Sequence, residues 1–100
     1  MTVQVDIEAA AEFAAAADWY NDEREGLGDT FLDDVKHAIK RLPTRLVHRA
    51  HPLHAALGVH IARVGGWPYH LIYVVNGETY RVIALTHERR EPGYWLRRVR

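Results

Sequence analysis

The opening residues of the chain show two different spacings of apolar side chains. The stretch TVQVDI alternates apolar and polar positions, which predicts a half-buried β-strand with Val3, Val5 and Ile7 on one face. From Glu8 the chain becomes rich in alanine, the strongest helix former, and its larger apolar residues fall at helical spacing. A first helix is therefore predicted to begin at Glu8, with the acids Glu8 and Glu12 suited to its N-terminal turn.

A second helix is predicted from about Asp29 to Leu42. Its apolar residues recur at steps of three and four, as expected for one buried face. This stripe consists of Leu27, Phe31, Val35, Ala38, Ile39 and Leu42. Asp29 is placed as the N-cap, and Pro43 ends the helix. Because Gly26 and Gly28 interrupt the chain between the two helices, we expect an αα-hairpin.

Three strand signals follow in the second half of the chain. GVHIARV alternates, YHLIYVV is rich in β-branched and aromatic residues, and ETYRVIALTH forms the returning strand. Between the last two, Asn76-Gly77 predicts a type I′ hairpin turn, in which both central residues need a positive φ. Strict alternation along the last strand places Arg81 and His87 on one face of the sheet.

The order of these elements predicts an α+β fold with the sequence β-α-α-β-β-β. An N-terminal strand is followed by an α-helical hairpin and then by a three-stranded antiparallel meander, with the hairpin on one face of the sheet. One hundred residues suffice for one modest core, and neither a repeat nor a linker interrupts the sequence. Residues 1–100 are therefore predicted to form a single domain.

The composition narrows the class of protein. Hydrophobic residues make up 48% of the chain and charged residues 26%, as is typical of a soluble globular protein. The chain has no cysteine, which excludes disulfides and thiolate chemistry. No apolar run approaches the roughly 20 residues of a membrane-spanning helix, and the N-terminal residues lack the pattern of a signal peptide. We therefore expect a cytoplasmic protein without membrane contact.

The formal net charge of zero conceals an asymmetric distribution. Residues 1–40 hold ten acids and three bases, a net charge of −7, whereas residues 41–100 hold three acids and ten arginines, a net charge of +7. Halves of opposite sign suggest a face that meets a polyanion or an acidic partner. The alternative is that the acidic helices only present a solvated surface.

The sequence resembles the RelE/ParE superfamily of toxins from bacterial type II toxin–antitoxin systems along nearly its whole length. The resemblance rests on the element order and on the stretches WYNDEREGLGDTFLDDV, WPYHLIYVV and VIALTHERREPGYWLRR. It implies a toxin that a cognate antitoxin protein neutralises in a hetero-oligomeric complex. Toxins of the ParE branch poison DNA gyrase, whereas those of the RelE branch are ribosome-dependent endoribonucleases that cleave mRNA.

The two branches differ in the chemistry that their residues must provide. RNA cleavage needs a proton acceptor, a proton donor and groups that stabilise the charge of a phosphorane. For a RelE-like enzyme the resemblance makes Arg63 and Arg81 the phosphate clamp, and His87 or Tyr94 the acid or base. Ribosome-binding toxins of this fold are strongly basic, because contact with ribosomal RNA depends on phosphate neutralisation, whereas this chain is neutral. A non-enzymatic ParE-like toxin is therefore favoured; a RelE-like ribonuclease and an inactive member that only binds a partner are the alternatives.

Two surfaces are predicted for partners. The C-terminal run THERREPGYWLRR combines Arg, Tyr and Trp, the residue types enriched at binding hot spots. The predicted target-binding residues are Arg89, Arg90, Tyr94, Trp95, Arg97 and Arg98. Arg97, Arg98 and Arg100 are expected to be exposed, while the alternative for Tyr94 and Trp95 is that they close the core. The predicted antitoxin-binding residues, near the first two helices and the adjacent sheet, are Trp19, Tyr20, Trp67, Pro68 and Tyr69.

His48, His51 and His54 recur at three-residue steps, a spacing that invites interpretation as a zinc site. Pro52 lies within this motif, and no cysteine or carboxylate stands nearby to complete the coordination shell. We therefore predict no metal and no other cofactor. The histidines are expected to make their loop sensitive to pH.

Overall fold

The computed structural model of the chain describes residues 2–99, and its elements follow the predicted order. The strands are β1 (Thr2–Val5), β2 (Val59–Arg63), β3 (Tyr69–Asn76) and β4 (Thr79–His87), and the helices are α1 (Ile7–Glu23) and α2 (Leu27–Arg41). Single turns of 3₁₀ helix lie at Leu42–Thr44, Ala55–Leu57 and Leu96–Arg98. The predicted α+β class is confirmed. No helix within residues 2–99 is long and apolar enough to cross a membrane.

The four strands form one sheet in the order β1-β4-β3-β2. β2, β3 and β4 form the predicted antiparallel meander, but β1 pairs with β4 in parallel, so the sheet as a whole is mixed. Parallel pairing requires a long crossover between the two strands. The helical hairpin and the first two strands of the meander supply it.

The sheet separates two groups of buried apolar side chains. The larger group lies between the sheet and the helices, on what we call the helix face, and includes Phe31, Val35 and Leu71. The smaller group, which includes Ile72 and Trp95, lies on the opposite side, the C-terminal face. Only 1% of the surface of Trp95 is exposed. The C-terminal segment (residues 88–99) therefore covers part of the sheet that the helices leave open.

β1 is shorter than the alternation predicts. The strand ends at Val5, which is exposed, and Ile7 is the first residue of α1 with 88% of its surface exposed. Val3 alone of the three packs against the core. The expectation that Val3, Val5 and Ile7 form one inner row is therefore wrong, because the chain turns into α1 directly after its N-cap, Asp6.

α2 begins two residues earlier than predicted, at Leu27, with Gly26 rather than Asp29 as its N-cap. Gly26 has a φ of +83°, a left-handed conformation that glycine adopts readily. Gly28 lies in the first turn of α2 and is buried against α1, where a Cβ atom would stand 2.1 Å from the carbonyl oxygen of Ala17. The two glycines thus permit an early start of α2 and a close contact between the helices.

The β3–β4 hairpin lies where it is predicted, but its turn is different. Asn76 pairs with Thr79, so the central residues of the turn are Gly77 and Glu78. Gly77 has a φ of +58°, and no residue other than glycine has a positive φ within residues 2–99. A positive φ at the first central residue alone is the requirement of a type II′ turn, so the predicted type I′ turn is wrong.

Ile83 is an extra residue in β4. Its neighbours Val82 and Ala84 pair with adjacent residues of β3, which leaves Ile83 without an opposite residue and defines a β-bulge. As a result Ile83 and Ala84 both belong to the core of the C-terminal face, whereas Val82 and Leu85 belong to that of the helix face. The bulge therefore reverses the alternation of side chains along β4.

Candidate interaction surfaces

An aromatic cluster joins the end of α1 to the start of β3. The ring centroid of Tyr20 lies 4.8 Å from that of Trp67, 5.1 Å from that of Trp19 and 6.4 Å from that of Tyr69. Phe31 of α2 extends the cluster, 4.9 Å from Trp67. Most of these pairs are edge-to-face, an arrangement that aromatic rings prefer.

Trp19 is the exposed member of this aromatic cluster, with 58% of its surface accessible. The side chain of Trp67 makes a contact within the protein, because its indole N–H donates a hydrogen bond of 2.8 Å to Oδ2 of Asp34. A shallow cavity of about 360 Å³ lies beside Trp19, lined by Trp19, Tyr20, Pro68, Tyr69 and His87. The structure thus brings four of the five predicted antitoxin-binding residues to one cavity and adds His87 to them, while Trp67 packs against Tyr20 in the aromatic cluster.

Glu12 of α1 anchors the C-terminal segment. Its Oε1 accepts hydrogen bonds from Nη1 of Arg98 at 2.9 Å and from the N–H of Leu85 at 3.1 Å, and its Oε2 accepts one from the hydroxyl of Tyr94 at 2.5 Å. Nε of Arg98 lies 3.3 Å from Oε2 of Glu8. Burial, followed by the Glu12 carboxylate, raises the pKa of Tyr94 to about 12. The hydroxyl therefore keeps its proton as a hydrogen-bond donor.

The structure divides the predicted target-binding residues into two groups. Arg89, Arg90 and Arg97 are exposed, and Tyr94 is partly buried. The side chain of Arg98 is only 9% exposed, so the expectation that it is exposed is wrong. Its guanidinium is turned inward because two carboxylates of α1 neutralise it. Trp95 closes the core of the C-terminal face and offers no contact surface in this conformation, while Arg100 lies outside the described residues.

Arg81 is held by groups of the protein itself. Its Nε donates to Oδ1 of Asp6 at 2.9 Å, and its Nη2 donates to Oδ2 of Asp6 at 2.8 Å and to the carbonyl oxygen of Arg98 at 2.7 Å. An arginine clamps a phosphate through the same fork of N–H groups. In this structure the fork of Arg81 joins β4 to the N-cap of α1 and to the C-terminal segment.

The four residues predicted for RNA cleavage do not converge. The bulge in β4 turns His87 toward the helix face, where its ring lies 5.1 Å from that of Tyr69, so the prediction that Arg81 and His87 share a face is wrong. At about 3.3 Å per strand residue, these two residues are also roughly 20 Å apart. Arg63 is exposed at the end of β2. Of the four, His87 and Tyr94 line one cavity of about 260 Å³.

The comparison with solved structures gives a match at the level of the fold. A chain of the chromosomal ParDE toxin–antitoxin system from P. aeruginosa matches with a TM-score of 0.74 and 18% sequence identity, over 87% of this chain and 95% of that chain. The chain has a ParDE-like fold. The resemblance predicted from the sequence is thereby confirmed for the fold. No protein-family model matches the sequence, and no curated protein matches it.

Within the ParDE-like fold, the histidines of the predicted motif turn to different neighbours. Nδ1 of His48 lies 2.7 Å from the hydroxyl of Tyr73. His51 and His54 instead pack against Trp95, at ring distances of 5.2 and 5.5 Å. Across residues 2–99 there is no group of three or more His, Cys, Asp or Glu side chains that could hold a metal ion.

Sequence reasoning missed the structural role of the acids in α1 of the ParDE-like fold. The sequence predicts for Glu8 and Glu12 only a place in the N-terminal turn of a helix, but both contact Arg98. Their i, i+4 spacing places them on one side of the helix, a signal that they share a partner, but it does not identify Arg98 as that partner. Asp6 gives no comparable signal, because neither Ala9 nor Ala10, three and four residues further on, is acidic.

Proposed function

We propose that the chain is the toxin of a type II toxin–antitoxin system, of the ParE-like kind, which inhibits bacterial growth by binding DNA gyrase and is neutralised by a cognate antitoxin. The ParDE-like fold, matched over 87% of the chain, is the observation that carries this proposal. Its site of action is the bacterial cytoplasm, where gyrase works.

The position of Arg81 supports binding over RNA cleavage. A ribonuclease needs its acid, its base and its phosphate clamp within reach of one phosphodiester. Arg81 is engaged with Asp6 and faces away from His87, and the ring of Tyr94 is tied through its hydroxyl to Glu12. Binding of a target protein requires no such convergence.

The antitoxin is proposed to bind at Trp19 and its cavity. An exposed tryptophan backed by a rigid aromatic cluster is typical of an interface hot spot. Two acids near Trp19 are exposed: Asp18 precedes it directly, and Asp22 lies about one turn further along α1. They favour an antitoxin segment that carries basic side chains beside its apolar anchors. A segment of this kind would fold on binding and form a hetero-oligomer with the toxin.

The gyrase-binding surface is proposed to be the exposed basic edge of the C-terminal segment. Arg89, Arg90 and Arg97 are the exposed arginines of this edge. The guanidinium carbon of Arg90 lies 3.7 Å from the ring centroid of Tyr94, and this cation–π contact restrains the side chain. Arg98 and Trp95 hold the segment in place beneath that surface.

Expression of the chain alone in a bacterial host tests the proposal. We expect a DNA-damage response and filamentation with intact mRNA, together with inhibition of purified gyrase in a supercoiling assay. Arg63→Ala and His87→Ala are expected to retain toxicity. Translation arrest with mRNA cuts at fixed codon positions that disappear in His87→Ala would contradict the proposal in favour of a RelE-like ribonuclease. The absence of any growth defect would leave only a partner-binding role.

A further inference from the structure

A short segment of the preceding loop covers the outer edge of β2. The N–H of His51 donates a hydrogen bond of 2.9 Å to the carbonyl oxygen of Val59. The N–H of Ile61 donates one of 2.9 Å to the carbonyl oxygen of Arg49. We call residues 48–51 the edge segment. It pairs with backbone groups of β2 that would otherwise be open to another strand.

A histidine attaches each end of the edge segment, one on either face of the sheet. On the helix face, Nδ1 of His48 lies 2.7 Å from the hydroxyl of Tyr73, and its ring centroid lies 5.7 Å from that of His60. On the C-terminal face, His51 is only 6% exposed, and its ring centroid lies 5.2 Å from that of Trp95. Neither His48 nor His51 belongs to the surfaces proposed for the antitoxin and for gyrase.

Protonation of His51 is incompatible with the hydrogen bond that holds its ring. Its Nδ1 accepts a hydrogen bond of 3.1 Å from the N–H of Leu53, and a protonated imidazole has no acceptor nitrogen left. Burial, followed by the charges of His54 and His70, lowers the pKa of His51. Three further titratable side chains line the adjoining cavity, and only the carboxylate among them favours a protonated ring: His87, Glu88 and Arg90.

His60 makes the contact on the helix face sensitive to protons as well. Its Nδ1 is buried and has no hydrogen-bond partner within residues 2–99. A proton on this atom would create a buried charged donor without an acceptor, which costs free energy. Burial, followed by the charge of His48, lowers the pKa of His60, while a hydrogen bond with the backbone of Arg49 opposes this shift. Other titratable groups close to this contact are Arg45, Tyr73 and Tyr80.

We propose that the edge segment is an acid-sensitive cover of the β2 edge, closed while His51 and His60 are neutral and open once they are protonated. Opening separates the like charges of His48 and His60. It also leaves the N–H of Ile61 and the carbonyl oxygen of Val59 unpaired, and such an edge is a template for another strand. Because folding lowers the pKa of both sensing histidines, the closed state is fully stable above the ordinary histidine value and loses stability as the pH falls below it.

Hydrogen exchange of the backbone amides, followed by NMR on the full chain, tests this proposal. The amides of His51 and Ile61 report the two hydrogen bonds of the edge segment. Exchange is measured at about pH 7 and about pH 5, and protection is expressed relative to an unstructured chain at the same pH. We expect the protection of both amides to fall at least about tenfold at the lower pH, because like charges then meet in partly buried surroundings. The amides of the β3–β4 pairing are expected to keep their protection.

A double variant separates protonation of the two histidines from other effects of acid. His51→Asn keeps a side-chain acceptor for the N–H of Leu53 but does not titrate. His60→Phe keeps an aromatic ring beside Tyr73 and removes the buried nitrogen. The double variant is expected to show equal protection of the edge segment at both pH values, even if the substitutions lower that protection. His37→Asn, which removes an exposed histidine from α2, is the control and should keep the pH dependence.

Three results would overturn the proposal. The first is protection of the His51 and Ile61 amides that does not change with pH. The second is an equal loss of protection in the β3–β4 pairing, since acid would then unfold the domain as a whole. The third is a double variant that keeps the pH dependence of the natural chain.

Discussion

Gly28 sets the distance between α1 and α2. Its N–H donates a hydrogen bond of 2.7 Å to Oδ1 of Asn21, and a Cβ atom at this position would stand 2.1 Å from the carbonyl oxygen of Ala17. Gly28→Ala is therefore expected to reduce the free energy of unfolding by about 1–3 kcal/mol, the usual cost of overpacking, measured by urea denaturation. Gly65→Ala is the control, since an added Cβ there meets no atom within 4 Å. Equal stability of the two variants would contradict this account.

Tyr94 links the C-terminal segment to α1 through a proton that it retains at high pH. Its pKa is about 12 in the folded protein against an ordinary value of 10.0. Because the folded value is the higher one, the stabilisation is complete below pH 10 and is lost as the pH rises through about 12. We expect the free energy of unfolding to fall over this window, and to fall less steeply in Tyr94→Phe.

A series of urea denaturations across this pH window gives the measurement for Tyr94. Burial also raises the pKa of Tyr20, Tyr69 and Tyr73, so these residues contribute in the same direction. They remain in both proteins, and the difference between the two slopes therefore belongs to Tyr94. Identical slopes would show that its proton is not bound more tightly in the folded state.

At the scale of elements, the C-terminal segment is part of the fold. Trp95 packs beneath it in the core of the C-terminal face, so Trp95→Ala is expected to cost about 3–5 kcal/mol of stability. Arg97→Ala, two residues further on and exposed, is expected to change stability by less than about 0.5 kcal/mol. Thermal and urea unfolding of both variants compare them directly. A small effect of Trp95→Ala would mean that the segment is not needed to close this core.

The elements themselves could be predicted from the sequence because their signals are local. The apolar stripe of α2 and the β3–β4 hairpin depend on signals a few positions apart, and both elements are present, although the turn of the hairpin is centred on Gly77 and Glu78 and not on Asn76 and Gly77. The start of α2 and the bulge at Ile83 are not predictable in this way, because the first depends on the contact of Gly28 with α1 and the second on pairing with β3. Local patterns contain neither contact.

Because the signals in a sequence are local, some features of the candidate surfaces can be predicted from it and others cannot. Trp19, Tyr20, Pro68 and Tyr69 line one cavity, because the fold that the resemblance implies places the end of α1 beside the start of β3. That an antitoxin binds there stays a prediction. The burial of Arg98 is not predictable from the sequence, because its partner Glu12 lies 86 residues away. From composition alone, an arginine in this segment is expected to be exposed. Only the tertiary structure shows that the carboxylate of Glu12 holds Arg98 inward.

At the scale of the whole molecule, the opposite charges of the two halves partly neutralise each other. Asp6 pairs with Arg81, and Glu8 and Glu12 pair with Arg98, so the N-terminal and C-terminal parts of the chain are joined by ion pairs. The exposed charges of the helical hairpin are mostly acidic, whereas those of residues 42–99 are mostly basic. The opposite signs of the two halves therefore persist on the surface of the folded molecule.

If the basic edge binds gyrase, its charge should matter more than the same charge elsewhere. Replacing Arg89 and Arg97 by Glu changes the net charge by −4, as does replacing Arg24 and Arg41, because each substitution contributes −2. The first pair is expected to raise the concentration needed for half-inhibition of gyrase by at least about tenfold, through lost electrostatic complementarity, and the second pair to change it little. Urea denaturation of both double variants checks that they remain folded. Equal losses of inhibition in the two would show that overall charge, and not the C-terminal edge, attracts the target.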